Sequence, residues 1–381
     1  MRKDVSLWLD GMRATASFLV FVAHLSVFGV AGPELARFVP EFGHDAVVLF
    51  FVLSGFVISY TTESRHADLT DYLVARGARL WSVALPALVL TYGLAALAGH
   101  LVTGLQLERD YQLGKLWLYF PFQLGFGGEL WTLSEPPCTN VPWWSLGYEA
   151  WYYLLFAAFA FYRGPRRWLL LGLGFAFVGF KLWLLAPVWA LGAVLWQLGP
   201  RWPLSRGLAR ALLVATVLAY AGYKASGAES WLVELGNRPF GGVMHSSLGS
   251  ARNWLHDWVI AVLAGLHLYA LGHAHLSFPS WSVRPIRFVA SFTFSLYCAH
   301  APLLIFARHT IGYDRNAPLQ VIAVALAVLA IIVVFGLLTE HRKEPYRRAL
   351  EALARGLGSR LPAGGRVRRW LSPNRKRQAR G

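Results

Sequence analysis

Five ionisable residues stand inside runs that are otherwise apolar enough to enter a bilayer, where each such group is expensive. Arg13 and His24 lie in LDGMRATASFLVFVAHL (9–25), Glu149 in VPWWSLGYEAWYYLLF (141–156), and Arg76 and Arg79 in YLVARGARLWSVALP (72–86). Arg13 and His24 are eleven positions apart, which puts them on one helical face about 16 Å apart along the axis. Such a pair looks into a common polar cavity, one residue near an interface and the other in the opposite half of the membrane. Ser145, Glu149 and either Tyr152 or Tyr153 recur at helical spacing on one side of another helix. Arg76 and Arg79, at i and i+3, share a face, and paired guanidiniums suit phosphate through bidentate, charge-assisted bonds. The same residues have plainer readings. Arg13 can snorkel to the headgroups, His24 can be a hydrogen-bonded interior histidine, and the arginine pair can anchor a helix end.

These side chains need helices to carry them, and the composition supplies them. Of the 381 residues 56% are hydrophobic, with 17 Trp, 15 Tyr and 24 Phe, and the mean hydropathy is +0.44, beyond what a soluble domain of this length tolerates. Apolar runs of spanning length fall at 6–28, 46–62, 79–103, 143–162, 166–182, 184–200, 208–226, 255–275, 288–308 and 318–338. They predict an all-α polytopic membrane protein, a bundle of about ten transmembrane helices. The two runs beside Lys181 are the weakest of the set. Asp10, Arg13 and His24 interrupt the first run and no small-residue cleavage site follows, so it reads as a retained helix and not a signal peptide.

Most of the 36 Lys and Arg fall at the start, in 63–80, 163–167, 201–210 and 284–287, and from Arg342 onward. The positive-inside bias therefore places both termini in the cytoplasm. Residues 1–345 read as the transmembrane domain and 346–381 as a basic cytoplasmic tail, attracted to anionic lipid by about 1 kcal/mol per basic residue. No nucleic-acid recognition fold accompanies that tail. The excess of 30 Arg over 6 Lys hints at a GC-rich prokaryotic genome, and hence at the inner membrane of a prokaryote. Two outer loops, 104–142 and 227–254, are long enough to shape a site or lid, or to be plain connectors. Cys138 and Cys298 offer neither a disulfide framework nor a metal pair. No internal repeat of the kind that builds many transporters is visible.

The motifs, taken together, resemble those of the acyltransferase 3 family of integral-membrane O-acyltransferases. LDGMRA with His24 resembles the family's opening motif, VVLFFVLSGFVIS (47–59) its second-helix motif, Arg76 with Arg79 its paired arginines, and WWSLGYEAWYYLLF (143–156) its Trp-Ser-Leu-x-x-Glu motif. FSLYCAHAPLL (294–304) resembles its Ser-Leu-Tyr-x-x-His-x-Pro stretch and TEHRKEPYRR (339–348) its closing Glu-Pro element. An acidic residue is common in the family where this chain has Val48; Asp45 stands three residues earlier. Asp45 either substitutes for it or does not.

The resemblance implies transfer of an acyl group, acetyl foremost, from acyl-CoA to a hydroxyl of a carbohydrate, glycolipid or glycosylated small molecule. Acyl-CoA is then a co-substrate, and neither a bound cofactor nor a metal is implied. His24 becomes the essential histidine, Arg13 its partner, Arg76 and Arg79 contacts for the CoA phosphates, and Glu149 part of the central polar site. A histidine of ordinary pKa near 6.5 is a natural general base for a hydroxyl, and Arg13 could stabilise charge on the thioester carbonyl. No cysteine or activated serine stands out as an acyl carrier, so direct transfer is expected. Further candidates are Ser54, Ser145, Tyr153, Tyr297 and His300; Ser54 and Gly55 also suit close helix approach, and the helix of His300 suits packing. His267, His273 and His275 are spread around their helix, which is poor geometry for one metal. The competing function is a proton-coupled secondary transporter, since an Arg, a His and a Glu inside a bundle also describe a substrate path; a non-catalytic membrane scaffold is a third reading.

Overall fold

The computed structural model describes residues 1–64, 68–241 and 247–358, and among these no strand occurs. The helices are α1 (Lys3–Val27), α2 (Pro33–Ala36), α3 (Gly43–Ser64), α4 (Leu69–Leu101), α5 (Leu116–Leu124), α6 (Trp143–Phe161), α7 (Gly164–Val178), α8 (Phe180–Leu198), α9 (Arg206–Ala225), α10 (Ala228–Asn237), α11 (Trp254–Ala274), α12 (Ser280–Ala290), α13 (Thr293–Thr310), α14 (Pro318–Leu338) and α15 (Glu344–Gly358). All ten predicted runs fall on helices. Seven helices, α1, α3, α4, α8, α9, α11 and α14, are long and apolar enough to cross a membrane, and α12 with α13 forms an eighth such unit bent by 48°.

The runs at 143–162 and 166–182 are where expectation and structure diverge. α7 has 15 residues, short of the roughly 20 that a crossing needs. α6 is long enough, but Glu149 and its several Tyr and Trp side chains dilute its apolar character. The weak join beside Lys181 has a physical explanation. The chain breaks at Gly179, where a Cβ would fall 2.7 Å from the Trp131 backbone, because the outer loop docks there through Trp131 N–H to the Val178 carbonyl at 3.0 Å. Lys181 lies wholly buried at the start of α8 and pairs with Glu129 of that loop at 2.7 Å.

α3 is the spine of the bundle, packed on α1, α8 and α11. Its closest approach is to α8: a Cβ on Gly55 would lie 2.0 Å from the Trp189 carbonyl, and one on Gly192 1.9 Å from the Val52 carbonyl. Small residues on both partners let the backbones touch, which is how helices associate without a hydrophobic drive between them. Gly55 thus has the packing role expected of it, and frees neighbouring Ser54 to face inward.

The 104–142 loop is built into the protein. Gln112 is fully buried; its carbonyl accepts from Tyr92 OH at 3.0 Å and Cys138 N–H at 2.9 Å, and its amide donates to the Pro136 carbonyl at 3.1 Å. Asn140 donates to the Cys298 carbonyl at 2.8 Å and to Thr91 at 3.2 Å. The loop's end is thereby pinned where α6 begins. At the start of α4, Asp68 caps the helix by accepting from the Asp71 N–H at 2.8 Å, and α15 packs against the same region. Of the expected tail, 346–358 belongs to α15, and 359–381 lies outside the described residues.

Candidate active site

Five helices, α1, α3, α4, α6 and α13, enclose a narrow pocket of about 100 Å³ lined by Arg13, Ser54, Ser145, Glu149, Tyr153 and Tyr297. It follows α3 from Val47 to Ile58, about 16 Å of helix axis, so it is long as well as narrow. At one end it opens into a vestibule of about 1390 Å³. Arg13, Arg76 and Arg79, with Val57 and Phe294, line both spaces and form the neck between them. Eight of the ten residues singled out from sequence therefore meet in one place.

Helical spacing explains the inner wall. Ser145, Glu149 and Tyr153 sit four residues apart on α6 and face the pocket together. Tyr152, the alternative, turns away and donates to the Leu182 carbonyl at 2.8 Å. Glu149 accepts from Ser54 Oγ at 2.7 Å and from Tyr153 OH, and Ser54 in turn accepts from Trp189 Nε1 at 3.3 Å. The Ser145 and Tyr297 hydroxyls meet each other, and Tyr297 also donates to the Pro142 carbonyl at 3.0 Å.

The arginines of the neck are poorly compensated. Arg13 reaches only Thr293 Oγ1, at 3.5 Å. Arg76 donates to Thr61 at 2.9 Å, while its buried Nε has no partner. Arg79 lies over the Phe294 ring at 5.7 Å. None of the three forms an ion pair among the described residues, and Glu149 is satisfied by hydroxyls. Asp10, Glu340 and Glu149 lie close enough to act on these guanidiniums through space without bonding to them, so their donor hydrogens stay directed at the neck, a geometry that suits an anion. Thr293 and Phe294 were not legible as site residues; both sit at the start of α13, just ahead of the Ser-Leu-Tyr motif.

His24 is not part of that lining. By its depth along α1 the facing neighbour is α13, and its Nδ1 meets His300 Nε2 at 3.1 Å. His300 Nδ1 lies 2.9 Å from the Leu296 carbonyl, which can only accept. His300 Nδ1 therefore carries the hydrogen, its Nε2 is the acceptor, and His24 Nδ1 must donate to it. That chain leaves the lone pair on His24 Nε2, the tautomer a base requires. The link to the pocket is Tyr297, whose ring centroid is 6.0 Å from that of His300.

Two cysteines and three histidines are used structurally. Burial pushes the Cys138 thiol up to about 11, far from the thiolate a nucleophile needs, and Cys298 is buried as well. His267 bonds Trp8 and Thr216, His273 the Tyr269 carbonyl, and His275 contacts Arg2. They do not converge.

Asp45 does not reach the pocket's polar wall. It accepts from His256 Nε2 and Tyr220 OH, each at 2.7 Å, and pairs with Lys224 at 3.2 Å. Asp45, Glu229 and His256 place ligand atoms within 4.8 Å of one another. Lys224, however, bonds both carboxylates and already supplies the positive charge. Beside this cluster His44 Nε2 meets Asp257 Oδ1 at 2.7 Å.

Compared with known families, residues 6–337, nearly the whole chain, match the acyltransferase domain of the acyltransferase 3 family. No curated protein and no solved structure matches the chain significantly.

Proposed function

The chain belongs to the acyltransferase 3 family, and from that premise we propose that it moves an acyl group, acetyl foremost, from acyl-CoA to a hydroxyl of a carbohydrate, glycolipid or glycosylated small molecule. The observation that carries this reading is the pair of spaces joined at the arginine neck. A thioester on an extended arm suits the narrow pocket, and the phosphates at the arm's base suit Arg76 and Arg79. The nucleotide beyond them needs a space the size of the vestibule. Acyl-CoA acts as a co-substrate, with no resident cofactor or metal.

In this reading the acceptor hydroxyl approaches from the His24 side. Its oxygen attacks the thioester carbonyl while its proton passes to His24 Nε2. The negative charge that develops on the carbonyl oxygen, at the far end of the arm from the neck, is met by the hydroxyls of the inner wall, Ser145 and Tyr297, while Arg13 stands with Arg76 and Arg79 at the phosphates. Collapse breaks the carbon–sulfur bond, and the departing CoA thiolate takes a proton as the ester forms. His300 is a positioning residue, holding His24 in the required tautomer. Tyr153 and Ser54 hold the Glu149 carboxylate inside the pocket, where it can accept from hydroxyls of the acceptor. The distribution of Lys and Arg supports a prokaryotic inner-membrane protein with both termini cytoplasmic, so that the vestibule faces the cytoplasmic acyl-CoA pool.

The test is incubation of the purified protein with labelled acetyl-CoA and a panel of sugar and glycolipid acceptors. Covalent label on an acceptor is the expected result. Uptake of acceptor into sealed vesicles without any acylation would instead identify a secondary transporter.

A further inference from the structure

The vestibule has a wall that the family match does not reach. Residues 6–337 account for the acyltransferase domain, yet Lys343, Glu344, Arg347, Glu351 and Arg355, in or just ahead of α15, line the vestibule together with Arg287. Lys343, Arg347, Glu351 and Arg355 recur every four residues and so form a single stripe along one face of the helix.

That helix is seated on the arginine-bearing helix. Gly77, between Arg76 and Arg79, has no side chain, and a Cβ there would lie 3.0 Å from Leu350 Cδ1 and 2.9 Å from the Trp81 ring. Leu350 of α15 packs into the gap, so the stripe is held beside the neck. Within the stripe Arg347 is neutralised by Glu351 at 2.8 Å and Glu344 at 3.8 Å. Lys343 and Arg355 form no ion pair among the described residues. Glu340, Asp10 and Asp71 line the same space from outside α15, and Glu340 accepts from the Ser295 N–H at 2.9 Å and its hydroxyl at 2.8 Å. Three cations and two carboxylates leave this lining segment one excess positive charge, with its unpaired cations, Lys343 and Arg355, at the two ends and Arg287 of α12 lining the same space.

We infer that α15 recognises the nucleotide end of the donor, with Lys343 and Arg355 serving the 3′-phosphate that distinguishes CoA from dephospho-CoA. The inference rests on the acyl-CoA reading and extends it. If the diphosphate lies at the neck and the acyl arm in the narrow pocket, the adenosine and its 3′-phosphate have only the vestibule to occupy. Lys343 and Arg355 are about 18 Å apart along the helix, so one end of the stripe serves the phosphate directly and the other contributes field. Lys343→Ala and Arg355→Ala, titrated singly with both nucleotides, identify that end as the one whose loss lowers the ratio more.

The experiment is calorimetric titration of the purified full chain with CoA and, separately, with 3′-dephospho-CoA. Wild type is expected to bind CoA about tenfold more tightly, the equivalent of about 1.4 kcal/mol. Lys343→Ala with Arg355→Ala should bring that ratio close to one, and Lys343→Arg with Arg355→Lys should restore it. Arg76→Ala with Arg79→Ala should weaken both nucleotides and keep the ratio. A wild type that does not distinguish the two nucleotides, or a Lys343 and Arg355 double variant that keeps the wild-type ratio, overturns the role of α15. If neither nucleotide binds wild type, the acyl-CoA reading itself fails and this inference falls with it. Circular dichroism on each variant checks that α15 is still helical.

Discussion

The protein holds two kinds of charge cluster, and they are built in opposite ways. At the end of the bundle where α9 meets α11, Asp45, His256, Tyr220, Lys224 and Glu229 satisfy one another, and His44 closes on Asp257. Lys181 and Glu129 form a second such unit, almost entirely excluded from solvent. At the neck, Arg13, Arg76 and Arg79 converge with no carboxylate in salt-bridge contact among the described residues and with the Arg76 Nε left without a hydrogen-bond partner among them. A buried charge that is fully paired holds helices in register; breaking such a pair is costly. Buried charges left uncompensated around a cavity are tolerated where a ligand completes them. By that criterion the neck suits the donor-binding role proposed for it, and the paired clusters suit architecture.

The largest effect expected on the binding side is catalytic. His24→Ala should lower acyl transfer by about 10²–10⁴-fold, the usual contribution of a general base, and cost about 1–3 kcal/mol of stability in detergent because the buried His300 Nε2 loses its donor. Turnover at the wild-type rate in the purified variant would remove His24 from the chemistry. The largest effect expected on the architectural side is Lys181→Met, which leaves Glu129 buried without its partner and should cost about 3–5 kcal/mol of stability. Replacing both residues by methionine should recover much of that loss. Asp45→Asn should destabilise less, by about 1.5–3 kcal/mol, because Lys224 keeps Glu229; a melting temperature equal to that of wild type would mean the cluster does not hold α3 to α9 and α11.

The smallest effect concerns Arg13 and Glu149, which are brought into one pocket without touching. A thermal-unfolding cycle of Arg13→Ala, Glu149→Gln and the double variant should be additive to within about 0.5 kcal/mol. A larger coupling would show a direct interaction between them.

These contrasts also mark what the sequence could and could not disclose. Helical periodicity was enough to bring Ser145 and Glu149 to one wall with either Tyr152 or Tyr153, the structure selecting Tyr153. The motifs of the resemblance contain Arg13, Ser54, Arg76, Arg79 and Tyr297, which line the same pocket. Both signals are local, or are carried by patterns of residue type. The paired clusters rest on contacts across long separations, 52 positions for Glu129 with Lys181 and 211 for Asp45 with His256, and nothing in either stretch names the partner. Lys181 in particular read as a weak point between two runs, because a buried lysine and the end of a span look alike until the carboxylate is in place. His24 shows the limit of periodicity itself. It shares a face with Arg13, but which neighbour occupies that face changes with depth, and at its level the partner is His300. α15 read as part of a basic tail because its charge was visible and the glycine that seats it was not.

The most direct test of the binding role of the neck is the steady-state kinetics of Arg76→Ala with Arg79→Ala, measured against both substrates beside a thermal unfolding curve. Lost phosphate contacts remote from the reacting carbonyl should raise KM for acetyl-CoA, each charge-assisted bond contributing about 1.5–3 kcal/mol, and leave KM for the acceptor and the melting temperature near wild type. An unchanged KM for acetyl-CoA accompanied by a fall in stability would contradict the account, and would make the arginines anchors of α4.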